Sequence, residues 1–332
     1  MSFKKNQIRL FIVLVAVTML FAACGRGTGA AHVIRMGHVY SLTDNIHPAA
    51  LMLSELVYDR TNGNVRIEVF GAGQLGGTVE NMEMVQNGII QAAAEAINAL
   101  DGFVPLAGIE SYPFLFESYQ QLFRFLESDL AQELWRDIGQ NYFVLTGVQY
   151  RGVRMLQTTR PVRQLSDLSG LRLRTAFMRT LHRPWEILGA ATVPMTFTEI
   201  YMGLQQGTIE GQENALMTSY ASGFHEVQRY FMDTNHVFGY VGFIWNKAFF
   251  ESLPQQYQDI IRQASDEVAA WRNEVEVGVQ EVYHQRFLDA GLTFVEVIDL
   301  DQWRTVLEEP LRHEFPYMQE WVTRILEFNA SM

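Results

Sequence analysis

The sequence predicts an α/β fold in two units, each a mostly parallel sheet flanked by helices, with one long helix serving both. Three observations carry this. Short apolar strands alternate with helical segments over residues 33–97 in the order β-α-β-α-β, the pattern that builds a parallel sheet. A second alternation of the same kind runs over 143–213. Residues 255–288 then keep a helical pattern without a break, far beyond the usual helix of about 11–12 residues.

Ahead of the first strand lies a segment that belongs to export rather than to the fold. Lys4, Lys5 and Arg9 precede an apolar run over 10–21, and Ala22 and Ala23 then lead to Cys24. A basic start, a short apolar core and small residues before a cleavage point are the layout of an export signal. The core is too short for a comfortable membrane span. Leu20-Phe21-Ala22-Ala23-Cys24 is also similar to a bacterial lipobox, in which the cysteine is acylated and becomes the new N-terminus. Phe21 departs from the residue favoured three places before that cysteine. The expectation is a lipoprotein signal peptide over 1–23, a lipid anchor at Cys24 and a tether over 24–32; a plain secretory signal or an N-terminal anchor helix is the alternative. No other segment has the length and hydropathy to cross a bilayer.

Cys24 is the only cysteine, so neither a disulfide framework nor a thiol nucleophile nor a cysteine-ligated metal has support. Cleavage before it leaves 309 of the 332 residues, enough for two domains of ordinary size. With the three leader cations gone, 22 basic residues face 37 acidic ones, a net charge of −15. That argues against nucleic acid, whose phosphates need a basic face. A protein this acidic binds an anion only through locally placed arginines.

The elements follow in order. Residues 33–39 read as a strand, 47–60 as a helix ending at Thr61-Asn62-Gly63, and 65–70 as an alternating strand. A glycine turn over 71–77 leads to a helix over 79–86 and a buried apolar strand over 89–97. In the second unit, 143–149 and 153–158 read as two strands and 171–175 as a third, followed by a helix near 180–188. A helix over 198–206 then enters a strand over 208–213, and the long helix starts after Leu253-Pro254.

One motif invites a reading that the rest of the chain rejects. Gly71-Ala72-Gly73-Gln74-Leu75-Gly76 matches G-x-G-x-x-G between a strand and a helix, with Glu95 nineteen residues beyond its last glycine, which suggests dinucleotide binding. Yet the motif follows the second strand rather than the first, and an exported chain meets no supply of nicotinamide cofactor. The glycines have a simpler use in a tight turn that needs positive φ. No cofactor is expected.

Candidate binding chemistry begins at Leu168-Ser169-Gly170-Leu171-Arg172-Leu173-Arg174-Thr175. Alternation puts Leu171 and Leu173 on one face, Arg172 and Arg174 on the other. Arg174 closes its strand, and open α/β sheets bind ligands beyond the carboxyl ends of strands. A guanidinium there offers a planar fork that fits a carboxylate; a surface arginine on an edge strand is the plain alternative. His38, His47, His225 and His236 lack metal-ligand spacing, and no G-x-S-x-G or placed Ser/His/Asp set occurs. Nothing in the sequence supports an enzyme.

Further motifs add a resemblance. Leu188-Gly189-Ala190, Val193-Pro194-Met195 and Glu199-Ile200-Tyr201 lead into Gly203-Leu204-Gln205-Gln206-Gly207-Thr208-Ile209-Glu210-Gly211-Gln212-Glu213-Asn214, with Glu226-Val227-Gln228-Arg229-Tyr230 and Thr234-Asn235-His236 later. With Gly170-Leu171-Arg172-Leu173-Arg174, Thr61-Asn62-Gly63 and Gly73-Gln74-Leu75-Gly76, this resembles the solute-binding proteins of TRAP transporters, DctP type, over essentially the whole mature chain. Gly203 stands where alanine is usual, and Glu210 where aspartate is usual.

The resemblance implies a two-lobed periplasmic-binding-protein-like fold, with lobe I over 33–151 and 240–279 and lobe II over 152–239 and 280–332. It implies an extracytoplasmic, lipid-anchored monomer that captures a small organic acid, with a uronate or other sugar acid favoured, and delivers it to a TRAP-type permease. Arg174 looks like the family's carboxylate clamp and Arg154 like a second cleft arginine. Asn214 looks like the family's carboxylate- or hydroxyl-bonding asparagine, Phe197 like its packing aromatic, and Glu95 like an acid reaching hydroxyl or amino groups. Each has a plainer alternative: a helix cap for Asn214, core for Phe197, a solvated strand-end charge for Glu95. A C4-dicarboxylate or keto-acid ligand, or a sensor kinase or chemoreceptor as the partner, remains an alternative at this point.

Overall fold

The computed structural model describes residues 30–331; the leader, Cys24 and most of the tether lie outside them. The first unit is built as its pattern predicts. Strand β1 (His32–Gly37) pairs in parallel with β2 (Val65–Phe70) and β3 (Ala92–Ala96), with α1 (Ile46–Arg60) and α2 (Thr78–Gln86) as crossovers. Ile34, Met36, Leu53, Val57, Val65 and Ile67 are buried between sheet and helix. The predicted strand over 89–97 is shorter, because Ile97–Leu100 closes into a 3₁₀ turn.

Helices α3 (Tyr119–Leu126) and α4 (Asp129–Gly139) begin at Ser118 and Ser128, whose hydroxyls accept from Gln121 N and Ala131 N, the N-cap role serine fills well. The two strands expected over 143–158 are one, β4 (Phe143–Thr158), and a second long strand, β8 (Tyr230–Asn246), runs antiparallel beside it. Both are buried on each face over much of their length, which removes the polar alternation that marks a strand in sequence. β4 is bent rather than broken: its register against β8 shifts at Thr146/Gln149 and at Tyr150/Gly152. Gly147 (φ 55°) and Gly152 (φ 105°) occupy these bulges, where a residue with positive φ is needed.

The second unit contributes β5 (Arg172–Thr175), α5 (Arg179–Ile187), β6 (Ala191–Pro194), α6 (Ile200–Gln205), β7 (Gly211–Ala215) and α7 (Leu216–Ala221). The strands form a single sheet in the order β2-β1-β3-β8-β4-β7-β5-β6. The two parallel sets therefore flank the long antiparallel pair β4 and β8, which is continuous from one lobe into the other.

After the short α8 (Lys247–Ser252), α9 (Gln255–Asp289) is a single helix of 35 residues, about 52 Å long at 1.5 Å per residue. It packs on β4 and touches α1 in one unit and α7 in the other. At the β4 bulge it supplies partners for the backbone: Asn273 Oδ1 accepts from Tyr150 N at 2.7 Å, and Arg272 donates to Tyr150 O. Strand β9 (Thr293–Val295) adds to β8. The chain ends in α10 (Leu300–Glu314) and α11 (Gln319–Ala330), which contact both α5 and the α3–α4 region through Arg183–Glu314 and Arg324–Glu133.

Candidate functional site

Strands from both units bring their ends to one cavity. From the first come Val39 and Tyr40 after β1, and Glu95, Ala96 and Asn98 around the end of β3. From the second come Arg174 on β5, Ala176 and Met178 after it, Phe197 before α6, and Asn214 on β7. Arg151 and Arg154 enter from β4. All five residues singled out from sequence (Arg174, Arg154, Asn214, Phe197 and Glu95) border this space.

The cavity is small, about 40 Å³, room for roughly three waters. The two units meet around it. A Cβ on Gly73 would lie 3.2 Å from the Thr198 methyl group, and Tyr40 meets the Phe197 ring edge-on at 5.9 Å. Gly73 (φ 71°) and Gly76 (φ 129°) hold the positive angles of the turn between β2 and α2, so the glycine motif shapes the rim of the cleft. A larger groove of about 590 Å³ lies between α10, α11 and residues 112–115. It gathers no buried charged side chains.

Three arginines surround the cavity, each at most 5 % exposed, and they are not equivalent. Arg154 directs Nε and Nη2 at the Glu213 carboxylate and also donates to Glu213 O. His236 Nε2 lies 3.1 Å from the same carboxylate, and His236 Nδ1 is 2.9 Å from Thr234 Oγ1. Burial alone would raise Glu213, but Arg154 and then His236 outweigh it and hold the carboxyl down at about 2. Burial lowers His236 below the ordinary histidine value. Arg154 is thus committed to a buried pair, and Nη1 alone makes no hydrogen bond among the described residues.

Arg174 has no carboxylate partner among the described residues. Its Nε and Nη2 both donate to Met195 O, at 3.0 and 2.7 Å. Burial pulls its guanidinium down to about 9 against the opposing pull of Glu213, with Arg154 and Arg151 adding like charge. It stays charged at neutral pH, and an incoming anion supplies the direct carboxylate contact that Glu213 and Glu199, near it but not bonded to it, do not make.

Asn214 accepts from Arg151 Nη2 at 3.0 Å and donates to Gln212 Oε1 at 2.6 Å. It does not cap α7, whose N-cap is Ala215 without a side-chain bond. Phe197 opens a short 3₁₀ turn held by a Thr196–Glu199 capping box, and it packs against the cores of both units. Glu95 is 1 % exposed and accepts from Val39 N at 3.2 Å. Burial pushes its carboxyl up to about 7 against the opposing pull of Arg151. It is therefore no solvated strand-end charge.

Arg151, Tyr40 and Asn98 border the cavity without having been singled out from sequence. Arg151 and Arg154 are three apart, which in a regular strand puts them on opposite faces. The register shift at Gly152 turns both toward the cavity. Only the pair of positions around that glycine, Tyr150-Arg151-Gly152-Val153-Arg154, carries a trace of this in the sequence. No cluster of three or more His, Cys, Asp or Glu side chains suited to a metal occurs among the described residues.

A two-lobed α/β clamp with unpaired buried guanidinium groups at the junction of its lobes defines a solute-binding protein. The family description that matches residues 36–316 is "Bacterial extracellular solute-binding protein, family 7", DctP. The chain belongs to this family, whose members are the extracytoplasmic solute receptors of TRAP transporters. Among curated relatives, the 2,3-diketo-L-gulonate-binding periplasmic protein of Escherichia coli K12 is 25% identical over 89% of this chain and 90% of its own length. The C4-dicarboxylate-binding periplasmic protein of Vibrio cholerae is 30% identical over 84% of each chain. A TRAP solute-binding protein from Xanthobacter autotrophicus Py2, solved with bound β-D-galacturonate, superposes with a TM-score of 0.84 at 22% identity. That match covers 89% of this chain and 99% of the other.

Proposed function

We propose that this receptor captures a sugar acid, a uronate or a related hydroxylated monocarboxylate, and releases it chemically unchanged to a TRAP permease. The observation that carries this is Arg174: a charged guanidinium, buried at the end of β5, bordering the cavity with no carboxylate of its own. A ligand carboxylate supplies that missing charge through charge-assisted hydrogen bonds. Asn214 and the free Nη1 of Arg154 flank it, Phe197 covers the carbon skeleton, and Glu95 accepts from a hydroxyl. The family's relatives named for 2,3-diketo-L-gulonate and galacturonate support a polar, hydroxylated acid.

Capture proceeds by hinge motion. A cavity of about 40 Å³ is tighter than a six-carbon acid needs, so the lobes part to admit it and close around it less fully than in this structure. Ligand selects the closed form because that form alone satisfies polar groups from both lobes. Lobe I comprises 33–151 with 240–279 and lobe II 152–239 with 280–332. β4, β8 and α9 cross between them. The working unit is a monomer, held at the membrane by a lipid on Cys24.

Calorimetric titration with D-glucuronate tests the assignment. Arg174→Lys replaces the fork with a point charge and weakens binding by about 10- to 100-fold. An unchanged affinity removes Arg174 from the site.

A further inference from the structure

Among the described residues four arginines are almost wholly buried: Arg151, Arg154, Arg174 and Arg272. Arg154 pairs with Glu213, and Arg272 with Glu276. Arg151 makes no ion pair among the described residues, and its role is unaccounted for by the carboxylate clamp. Its Nη2 donates to Asn214 Oδ1, its guanidinium lies over the Tyr40 ring at 4.9 Å, and its Nε is buried with no hydrogen-bond partner. An orphaned N–H on a charged, desolvated group is costly, and the guanidinium side chain that carries it borders the cavity.

We infer that Arg151 is a second ligand-contacting guanidinium, which together with Glu95 reads a hydroxyl group at the end of the ligand away from Arg174. This rests on the sugar-acid reading above. The chemistry follows from what each group can do. Arg151 only donates, whereas an ionised Glu95 only accepts. A hydroxyl does both at once, accepting from Arg151 and donating to Glu95. A second carboxylate is held off Arg151 by the like charge of Glu95, and a methylene satisfies neither. The pair therefore selects hydroxylated monocarboxylates over dicarboxylates and over deoxy acids, by leaving the wrong ligand's neighbours unpaired.

The test is calorimetry on the purified protein with D-glucuronate and succinate, at a pH above 8 so that Glu95 is ionised. Wild type binds D-glucuronate at least about 10-fold more tightly. Arg151→Met weakens D-glucuronate by about 10- to 100-fold and succinate by less than about threefold. Glu95→Gln removes the like charge and shrinks the D-glucuronate preference, chiefly by strengthening succinate. Equal losses for both acids in Arg151→Met overturn the inference, as does an unchanged preference in Glu95→Gln. Glu95→Gln decides the matter alone where Arg151→Met does not fold. If wild type binds neither acid, the carboxylate reading itself fails. If Arg174→Lys weakens both acids while Arg151→Met does not distinguish them, only the present inference fails.

Discussion

Arg154 on β4 and Arg174 on β5 stand on either side of β7 in the same cavity wall, both almost wholly buried, and the fold treats them in opposite ways. Arg154 is closed off by Glu213, with His236 behind it, while Arg174 rests on a lone backbone carbonyl, Met195 O. A buried charge is tolerated when paired, and its pair becomes structure. Left unpaired, it is a standing cost that a ligand can relieve. The first arrangement holds the β4–β7 wall in place; the second reserves binding energy for the solute. Residue type alone does not tell them apart.

That contrast can be broken most forcibly at Glu213. Glu213→Ala strands Arg154 in a dry wall and costs about 3–5 kcal/mol of stability, read as a lower urea midpoint. Arg174→Met has the reverse signature. It weakens D-glucuronate by about 1.5–3 kcal/mol while the urea midpoint of the ligand-free protein holds or rises. A midpoint that falls as far as in Glu213→Ala makes Arg174 structural and ends the comparison.

Gly152 lets two arginines three residues apart share one wall. At φ 105°, an added Cβ would sit 2.9 Å from Ala215 Cβ and 3.2 Å from Glu276 Oε1. Gly152→Ala should therefore cost about 1–3 kcal/mol and also lower ligand affinity, because it re-aims Arg151 and Arg154. Loss of stability with affinity intact separates the bulge from the site.

The smallest effect is a pH dependence of opposite sign for the two carboxyls. Glu213 is held at about 2, below its ordinary 4.5, so its contribution is full above pH 4.5 and is lost as pH falls toward 2. Glu95 is raised to about 7 from 4.5, so the folded state keeps a proton that the unfolded chain has released. The Glu95 contribution to the stability of the ligand-free protein therefore declines as pH rises from about 4.5 to 7, then levels, while His38, held down at about 4 by burial, contributes a rise over much of the same range. Glu276, also raised to about 7, adds to that decline. Glu95→Gln should remove the Glu95 decline, raising stability near pH 7 relative to pH 4.5 by on the order of 1 kcal/mol against wild type in urea titrations across that range. Parallel profiles for variant and wild type exclude Glu95 as a source.

Legibility in the sequence followed burial pattern. Helices α1, α2, α5 and α9 and strands β1, β2 and β5 were readable because each has one wet face or a clear boundary, as at Thr61-Asn62-Gly63 and Leu253-Pro254. β8 was not, since it is buried on both sides and lacks alternation. The break expected after Gln149 is a bend, because Gly147 and Gly152 mark bulges inside β4 and not ends. Arg174 was visible from its place at the end of an alternating strand. Arg154, Asn214, Phe197 and Glu95 came from the motif resemblance, and Arg151 from neither, its orientation being set by the register shift at Gly152.

By itself the sequence determined the α/β alternation, the long helix, the acidic balance and the TRAP-receptor motifs, because periodicity and local turn chemistry are encoded residue by residue. The tertiary structure alone decided that β4 and β8 join both lobes in one sheet, and which cavity arginines receive a carboxylate. Those outcomes depend on pairing between segments some sixty residues apart, Arg154 with Glu213 and not Arg174 with any acid. No local pattern records where a distant side chain will come to rest.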